Sequence, residues 1–220
     1  MKFIDGADVL TAKNEKVGSI DRVVLEPRSK EVTHLIVRKG LLLKEDKVIP
    51  MDAVDHVADE KVFLKESIND LNDFPLFEET EYILADEGHE LEKIEEGSTQ
   101  FARPAYWYPI HGYGGLSHVP FAPAPLYYAA TQRNIPEDTV PLKEGAKVIS
   151  SDGENVGNIE EVLVDPKQDR ATHIIIEEGI FFPDKKLLPT IWLTNVLEDE
   201  VHLAMKSSTL EKLPEYEKQP

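Results

Sequence analysis

Cysteine is absent from the 220-residue chain. Disulfides, thiolate metal sites and cysteine nucleophiles are therefore excluded. Long hydrophobic runs are missing as well. No stretch approaches the roughly 18 apolar residues of a membrane-spanning helix. The opening residues, "MKFIDGADVL", lack the apolar core of a signal peptide. The cytoplasm is the expected location. Cations are in the minority, with 24 Lys and Arg against 42 Asp and Glu, a net charge of −18. The imbalance runs along the whole chain: 12 cations and 17 anions in residues 1–79, 3 and 9 in 80–139, 9 and 16 in 140–220. Such a chain is ill suited to nucleic acid or anionic lipid, which need clustered Lys or Arg. Acidic surfaces keep proteins soluble, and an acidic face also suits a basic partner.

Catalytic and cofactor signatures are missing too. There is no G-x-x-x-x-G-K-[ST], H-E-x-x-H or G-x-S-x-G. The Gly-rich "HGYGGLS" at residues 111–117 has no strand-then-helix context. His111 and His118 lie seven apart, with no third ligand at a metal-binding spacing. No cofactor, metal or catalytic constellation is expected.

What is present is a repeat. "VTHLIV" at residues 32–37 returns as "ATHIII" at residues 171–176. At an offset of 139, 20 of the 70 positions in residues 6–75 are identical and no gap is needed. Among them are Gly6, Gly18, Pro27, Thr33, His34, Gly40, Pro50, Leu71 and Pro75. A period this long means tandem domains rather than a solenoid.

Each copy reads as all-β. In the first, "DVLTA" is a strand, "KNEK" a turn, "VGSIDRVVLE" a longer strand and "PRSKE" a turn. The β-branched run at residues 32–38 is the clearest strand. Gly40 ends it and is expected at positive φ. "LLL", "KEDK" and "KVIP" read as strand, turn and strand. "VDHVADEKVFL" reads as a hairpin turning at Asp59 and Glu60, and "SINDL" as one helical turn. Alternation puts Thr33, Leu35 and Val37, like Thr172, Ile174 and Ile176, inside the barrel. His34 and His173 fall on the other face, as structural strand residues. The alternation slips near Asp21 and Arg22, where a bulge would curl the sheet. Glu177 and Glu178 replace Arg38 and Lys39. This reversal is either a solvated difference or a device that orients the barrels toward each other. The two copies are expected to fold as separate barrels with the same strand order.

These residues resemble the PRC-barrel family. The signature is "DGENVGNIEEVLVDPKQDRATHIIIEEGIFFPDKKLLP" at residues 152–189, matched by "KNEKVGSIDRVVLEPRSKEVTHLIVRKGLLLKEDKVIP" at residues 13–50. The resemblance implies small, strongly bent β-barrels of about six strands. It covers nearly three quarters of the chain. The family includes the cytoplasmic domain of the photosynthetic reaction centre H subunit and the C-terminal domain of a ribosome maturation factor. It is associated with docking and assembly, with no common catalytic site. The H subunit's transmembrane helix has no counterpart here, and a second PRC-like unit stands where the maturation factor has a different barrel.

The expected architecture is therefore two tandem PRC-type barrels, residues 1–79 and 140–220, joined by a linker at 80–139. The linker is acidic over residues 80–98, read as a short helix or solvated linker, and rich in aromatics, Pro and Gly over 99–139. Residues 101–128 hold 8 of the 17 aromatics and five prolines. Pro and Gly at this density oppose helix and central strand, yet a merely flexible linker carries few aromatics. Aromatic rings dominate interface energetics. Tyr106, Trp107, Tyr108, Tyr113, Phe121, Tyr127 and Tyr128 are thus the candidate partner-binding residues, with Trp107 expected to be buried against a barrel. The same rings also suit weak contact with a membrane interface.

Two functions stay open. One is a non-enzymatic docking scaffold for protein partners or further copies of itself; the H subunit suggests a bacterial photosynthetic or membrane-associated electron-transfer assembly. The other is a small-ligand-binding protein or enzyme with a site between the barrels under the aromatic segment.

Overall fold

The computed structural model describes residues 1–4, 6–40, 45–84, 101–102, 127–178 and 184–217. They form two compact units, one of Met1–Phe77 with Asn134–Pro220 and one of Glu78–Arg133. In chain order the strands are β1 (Lys2–Ile4), β2 (Asp8–Leu10), β3 (Lys16–Leu25), β4 (Val32–Lys39), β5 (Glu45–Pro50), β6 (Val54–Ala58), β7 (Lys61–Leu64), β8 (Glu78–Leu84), β9 (Phe101–Ala102), β10 (Tyr127–Arg133), β11 (Val140–Lys143), β12 (Lys147–Ile149), β13 (Asn155–Asp165), β14 (Arg170–Glu178), β15 (Asp184–Pro189), β16 (Leu193–Val196) and β17 (Glu200–Leu203).

The two copies have the same strand order. The first runs β5-β4-β3-β2-β7-β6 and the second β15-β14-β13-β12-β17-β16. The slip in alternation is a bulge in both. The β3–β4 register shifts between Ile20 and Arg22, and the β13–β14 register between Ile159 and Glu161, so Asp21 and Glu160 are the extra residues. Gly18 allows a close approach of the strands. A Cβ there would lie 2.7 Å from both the Arg38 carbonyl oxygen and Val37 Cγ1, so only glycine lets β3 and β4 approach this closely. Gly40 has φ 85°. Asp59 and Glu60, at φ 49° and 60°, form the two-residue turn between β6 and β7, with the paired positive φ of a type I′ hairpin.

Two tandem barrel-like sheets form as expected, but they are not separate from each other. Each gives a strand to the other. β1 pairs with β13 of the second copy, with Phe3 opposite Val162. β11, its equivalent at the same offset, pairs with β3 of the first copy, with Leu142 opposite Val23. Each seven-stranded sheet thus contains one foreign strand. One continuous core results, in which Phe3, Leu35, Val37, Ile49 and Leu64 join Leu142, Ile174, Ile176, Leu188 and Leu203.

Other expectations need correction. Thr172 is exposed and Thr33 half-buried rather than interior, because the register shifts again there and leaves each as an extra residue, its hydroxyl donating to the Leu163 or Val24 carbonyl. The outward face of β4 is covered in part, because Phe77 packs with Val24, Ile36 and Val48. Glu45 and Asp46 belong to β5 rather than to a turn, because their backbone pairs with Lys39 and Arg38; the expected strand at residues 41–43 lies outside the described residues. "SINDL" forms no helix, whereas its counterpart becomes the short helix α1 (Ser207–Leu210). Asp152 explains the difference. It accepts hydrogen bonds from the Ser207 amide and hydroxyl, both at 2.9 Å, and Lys13 stands at its place in the first copy.

In the second unit the acidic stretch begins as a strand instead of a helix or linker. β8 pairs antiparallel with β10, from Glu78 opposite Arg133 to Leu84 opposite Tyr127. Arg133 Nε lies 3.2 Å from Glu78 Oε1. The run "EETEYIL" carries Thr, Tyr and Ile, residues that suit a pleated ladder.

Candidate functional site

The turns "EPRSK" and "DPKQD" follow β3 and β13. In the first, Glu26 caps its own turn. Its carboxylate accepts from the Ser29 amide and, at 2.9 Å, from the Arg28 amide. Hydrogen bonds from Ser29 and then from the Arg28 backbone hold the carboxyl down at about 2. Lys30 and Asp169, equivalent by repeat, both take the left-handed conformation, with φ 63° and 48°. Both turn carbonyls then face the other copy. The Val32 amide donates to Asp169 O at 2.6 Å, and the Ala171 amide to Lys30 O at 2.8 Å. Glu31 bridges to Arg170 between them. All three relations map onto themselves at the offset of 139, so the copies are related by a local two-fold at this point.

A cleft of about 690 Å³ opens beside that junction. Pro27, Arg28 and Lys30 line it from the first copy, and Gln168, Arg170, Pro189, Ile191, Leu193 and Thr194 are among the residues lining it from the second. Three of its lining residues are cations and none is a carboxylate. Lys30 is buried and its ammonium donates to the Pro27 carbonyl. Arg28 and Arg170 are exposed. Ile191 is 84% exposed, a large apolar side chain set out in water. Thr190 holds the short 3-10 turn that presents it (Thr190–Trp192), donating to Ala171 O at 2.6 Å and Thr172 O at 3.1 Å.

The local two-fold does not extend to these side chains. Position for position, Arg28 is matched by Lys167, Lys30 by Asp169, Arg170 by Glu31, Ile191 by Asp52 and Thr194 by Asp55. The same backbone therefore carries a basic, apolar set on one side of the junction and a mostly acidic set on the other.

A second polar cluster sits at the bulges. Asp21, 2% exposed, accepts from Arg38, which also lies 3.2 Å from Asp46. Arg22 lies 2.8 Å from Glu198. In the second copy Glu160 occupies the bulge and pairs with Lys185, whose ammonium is raised above its ordinary value by that bond. Arg38 faces Asp46 across β4–β5, and Glu177 faces Lys185 across β14–β15. The reversal at Arg38 and Glu177 is thus compensated within each sheet. Where Phe3, Asp21, Leu142 and Glu160 meet between the copies, a cavity of about 20 Å³ has room for one water.

The histidines form no shared site among the described residues. His56 lies 2.7 Å from Asp55 and stacks on Phe63, and His202 lies 2.6 Å from Glu200. His34 is half-buried in β4, and burial holds its imidazole below the ordinary range. Among the described residues no group of three or more His, Asp or Glu is placed to hold a metal ion. No helix among them is long and apolar enough to cross a membrane.

Of the aromatic candidates, Tyr106, Trp107, Tyr108, Tyr113 and Phe121 lie outside the described residues, as do His111 and His118. Tyr127 and Tyr128 open β10, paired with Leu84 and Ile83 of β8 and with Ala102 and Phe101 of β9. The cleft was not anticipated from sequence. Its signal lay in the positions where the two copies differ, above all Ile191 against Asp52, rather than where they agree.

Comparison with curated proteins gives no match. A family model, the PRC-barrel domain, matches residues 4–71 and again residues 144–204. Both segments start at or just after an exchanged strand and end beyond the last hairpin of a copy, and together they span more than half of the chain. With the same bent sheet formed twice, in the same strand order, the chain belongs to the PRC-barrel family.

Proposed function

We propose that this tandem PRC-barrel chain is a non-enzymatic docking protein, and that the cleft beside the two-fold junction receives its protein partner. The carrying observation is Ile191, 84% exposed at the rim of a cleft in an otherwise strongly charged protein. Burying such a side chain contributes about 2 kcal/mol, and anchors of this kind seat in concave surfaces at the centre of interfaces. The cavity at Phe3, Asp21, Leu142 and Glu160, with space for one water, is too small for a ligand, whereas the open cleft suits a partner's surface. A membrane-associated electron-transfer assembly is a setting consistent with the family. The test is affinity capture from native extract with the wild-type chain and with Ile191→Asp, which copies the residue at the equivalent position of the first barrel. The expected result is a partner set retained by the wild type and lost by the variant. Equal capture by both, or turnover of a substrate by the purified chain, would overturn the reading.

A further inference from the structure

The side-chain asymmetry across the local two-fold indicates what the cleft receives. We infer that it takes an extended acidic segment of a partner protein, with one aliphatic side chain of that segment set against Ile191. The inference rests on the docking reading and adds the chemistry of the partner.

Three observations carry it. First, Arg28, Lys30 and Arg170 line the cleft without a lining carboxylate, in a chain whose anions outnumber its cations 42 to 24. Second, neither exposed arginine makes an ion pair with a carboxylate of its own turn or across the bridge. Glu26 accepts hydrogen bonds from the Arg28 and Ser29 amides, one at each oxygen, and its charge reaches Arg28 and Lys30 without an ion pair to either. Glu31, across the bridge from Arg170, forms no ion pair with it. The two exposed guanidinium groups are therefore open to a ligand, and a guanidinium fork suits a carboxylate in particular. Third, the equivalent positions on the other side are Lys167, Asp169, Glu31, Asp52 and Asp55. The backbone is the same there, so the basic character belongs to this cleft and not to the fold.

The whole-molecule field selects among anions. A long polyanion such as nucleic acid spans many screening lengths, each about 8 Å at physiological salt. It would meet the acidic remainder of the surface as well as the cleft. A short acidic segment meets only the local cations. Lining residues such as Pro27, Pro189, Ile191 and Leu193 ask for an apolar group beside the charges, which inorganic phosphate lacks.

The test uses the full-length chain to select from a displayed library of random twelve-residue peptides, followed by binding measurements on the enriched sequences. Enrichment of peptides with Asp or Glu flanking Leu, Ile or Val is expected. Their affinity should fall about ten-fold or more in Arg28→Glu with Arg170→Glu, fall less in Arg28→Gln with Arg170→Gln, and weaken as salt rises. Both arginines are exposed and neither side chain makes a hydrogen bond or ion pair, so the Gln variants should keep the wild-type melting temperature and the Glu variants should lose little of it. Three results would overturn the inference: enriched peptides without acidic residues, equal binding to the charge-reversed variant, or equally tight, equally Arg-dependent binding of heparin or polyphosphate. Salt-sensitive dimerisation in sedimentation velocity, abolished by the same variant, would also overturn it by making a second copy the occupant. Loss of acidic selectivity while Ile191→Asp still abolishes partner capture would remove this inference and leave the docking reading standing.

Discussion

His34 shows how a repeated residue acquires an individual environment. In β4 it is half-buried and its Nδ1 has no hydrogen-bond partner. Burial disfavours the imidazolium, with the Asp52 carboxylate opposing it, so the folded chain holds the group below its ordinary value of 6.5. The unfolded chain then binds the proton more readily. Stability is fully present above pH 6.5 and declines as pH falls through the lowered folded value. Urea unfolding of the wild type should therefore show a lower midpoint at pH 5 than at pH 7.5, and His34→Gln should lose less over the same interval. An identical pH dependence in the two proteins would show that His34 is not responsible. Ile191 belongs to this scale as well, since one substitution relative to Asp52 separates an apolar anchor from a solvated carboxylate.

Strands and their partners carry the next level of specificity. The first copy places a cation at Arg38 on β4 and an anion at Asp46 on β5; the second places Glu177 and Lys185 at those positions. Both arrangements neutralise an acidic bulge residue, Asp21 in one and Glu160 in the other. Arg38→Glu alone would set a third carboxylate beside Asp21 and Asp46. Arg38 is about a third exposed, so screening moderates the effect to about 1–3 kcal/mol of stability. Adding Asp46→Lys recreates the charge order of the second copy and should recover at least half of that loss. The measurement is a double-mutant cycle by chemical unfolding, with a coupling of about 1 kcal/mol or more. Additive losses would mean that the reversal is unrelated to the bulge.

For the molecule as a whole, the exchange of β1 and β11 makes each barrel incomplete without the other copy. Removing β1 would bare the edge of β13 and withdraw Phe3, 2% exposed, from the shared core. The two barrels should therefore unfold as one cooperative unit. Hydrogen exchange followed through β3–β4 and β13–β14 should lose protection at the same denaturant concentration, and Phe3→Ala, at about 3–5 kcal/mol, should lower both together. Loss of protection in one barrel while the other persists would show that the exchanged strands do not couple them.

Much of this architecture was legible in the chain alone. The offset of 139, the β-branched runs, the bulge at Asp21 and the turn at Asp59 and Glu60 are local patterns, governed by side-chain period and turn chemistry that act within a few residues. They determine the strands, their order and the family. Which barrel receives "KFI" and "PLK" was not legible, because equivalent strands satisfy the repeat whether they pair within their own copy or across. The covering of Ile36 by Phe77 was hidden for a related reason, since Phe77 lies just beyond the repeated residues. The cleft required the tertiary structure most of all. Arg28 and Arg170 are 142 positions apart, and the reciprocal hydrogen bonds between the two turns bring them to one cleft. Sequence determined two like sheets; pairing between copies decided where their unlike side chains meet.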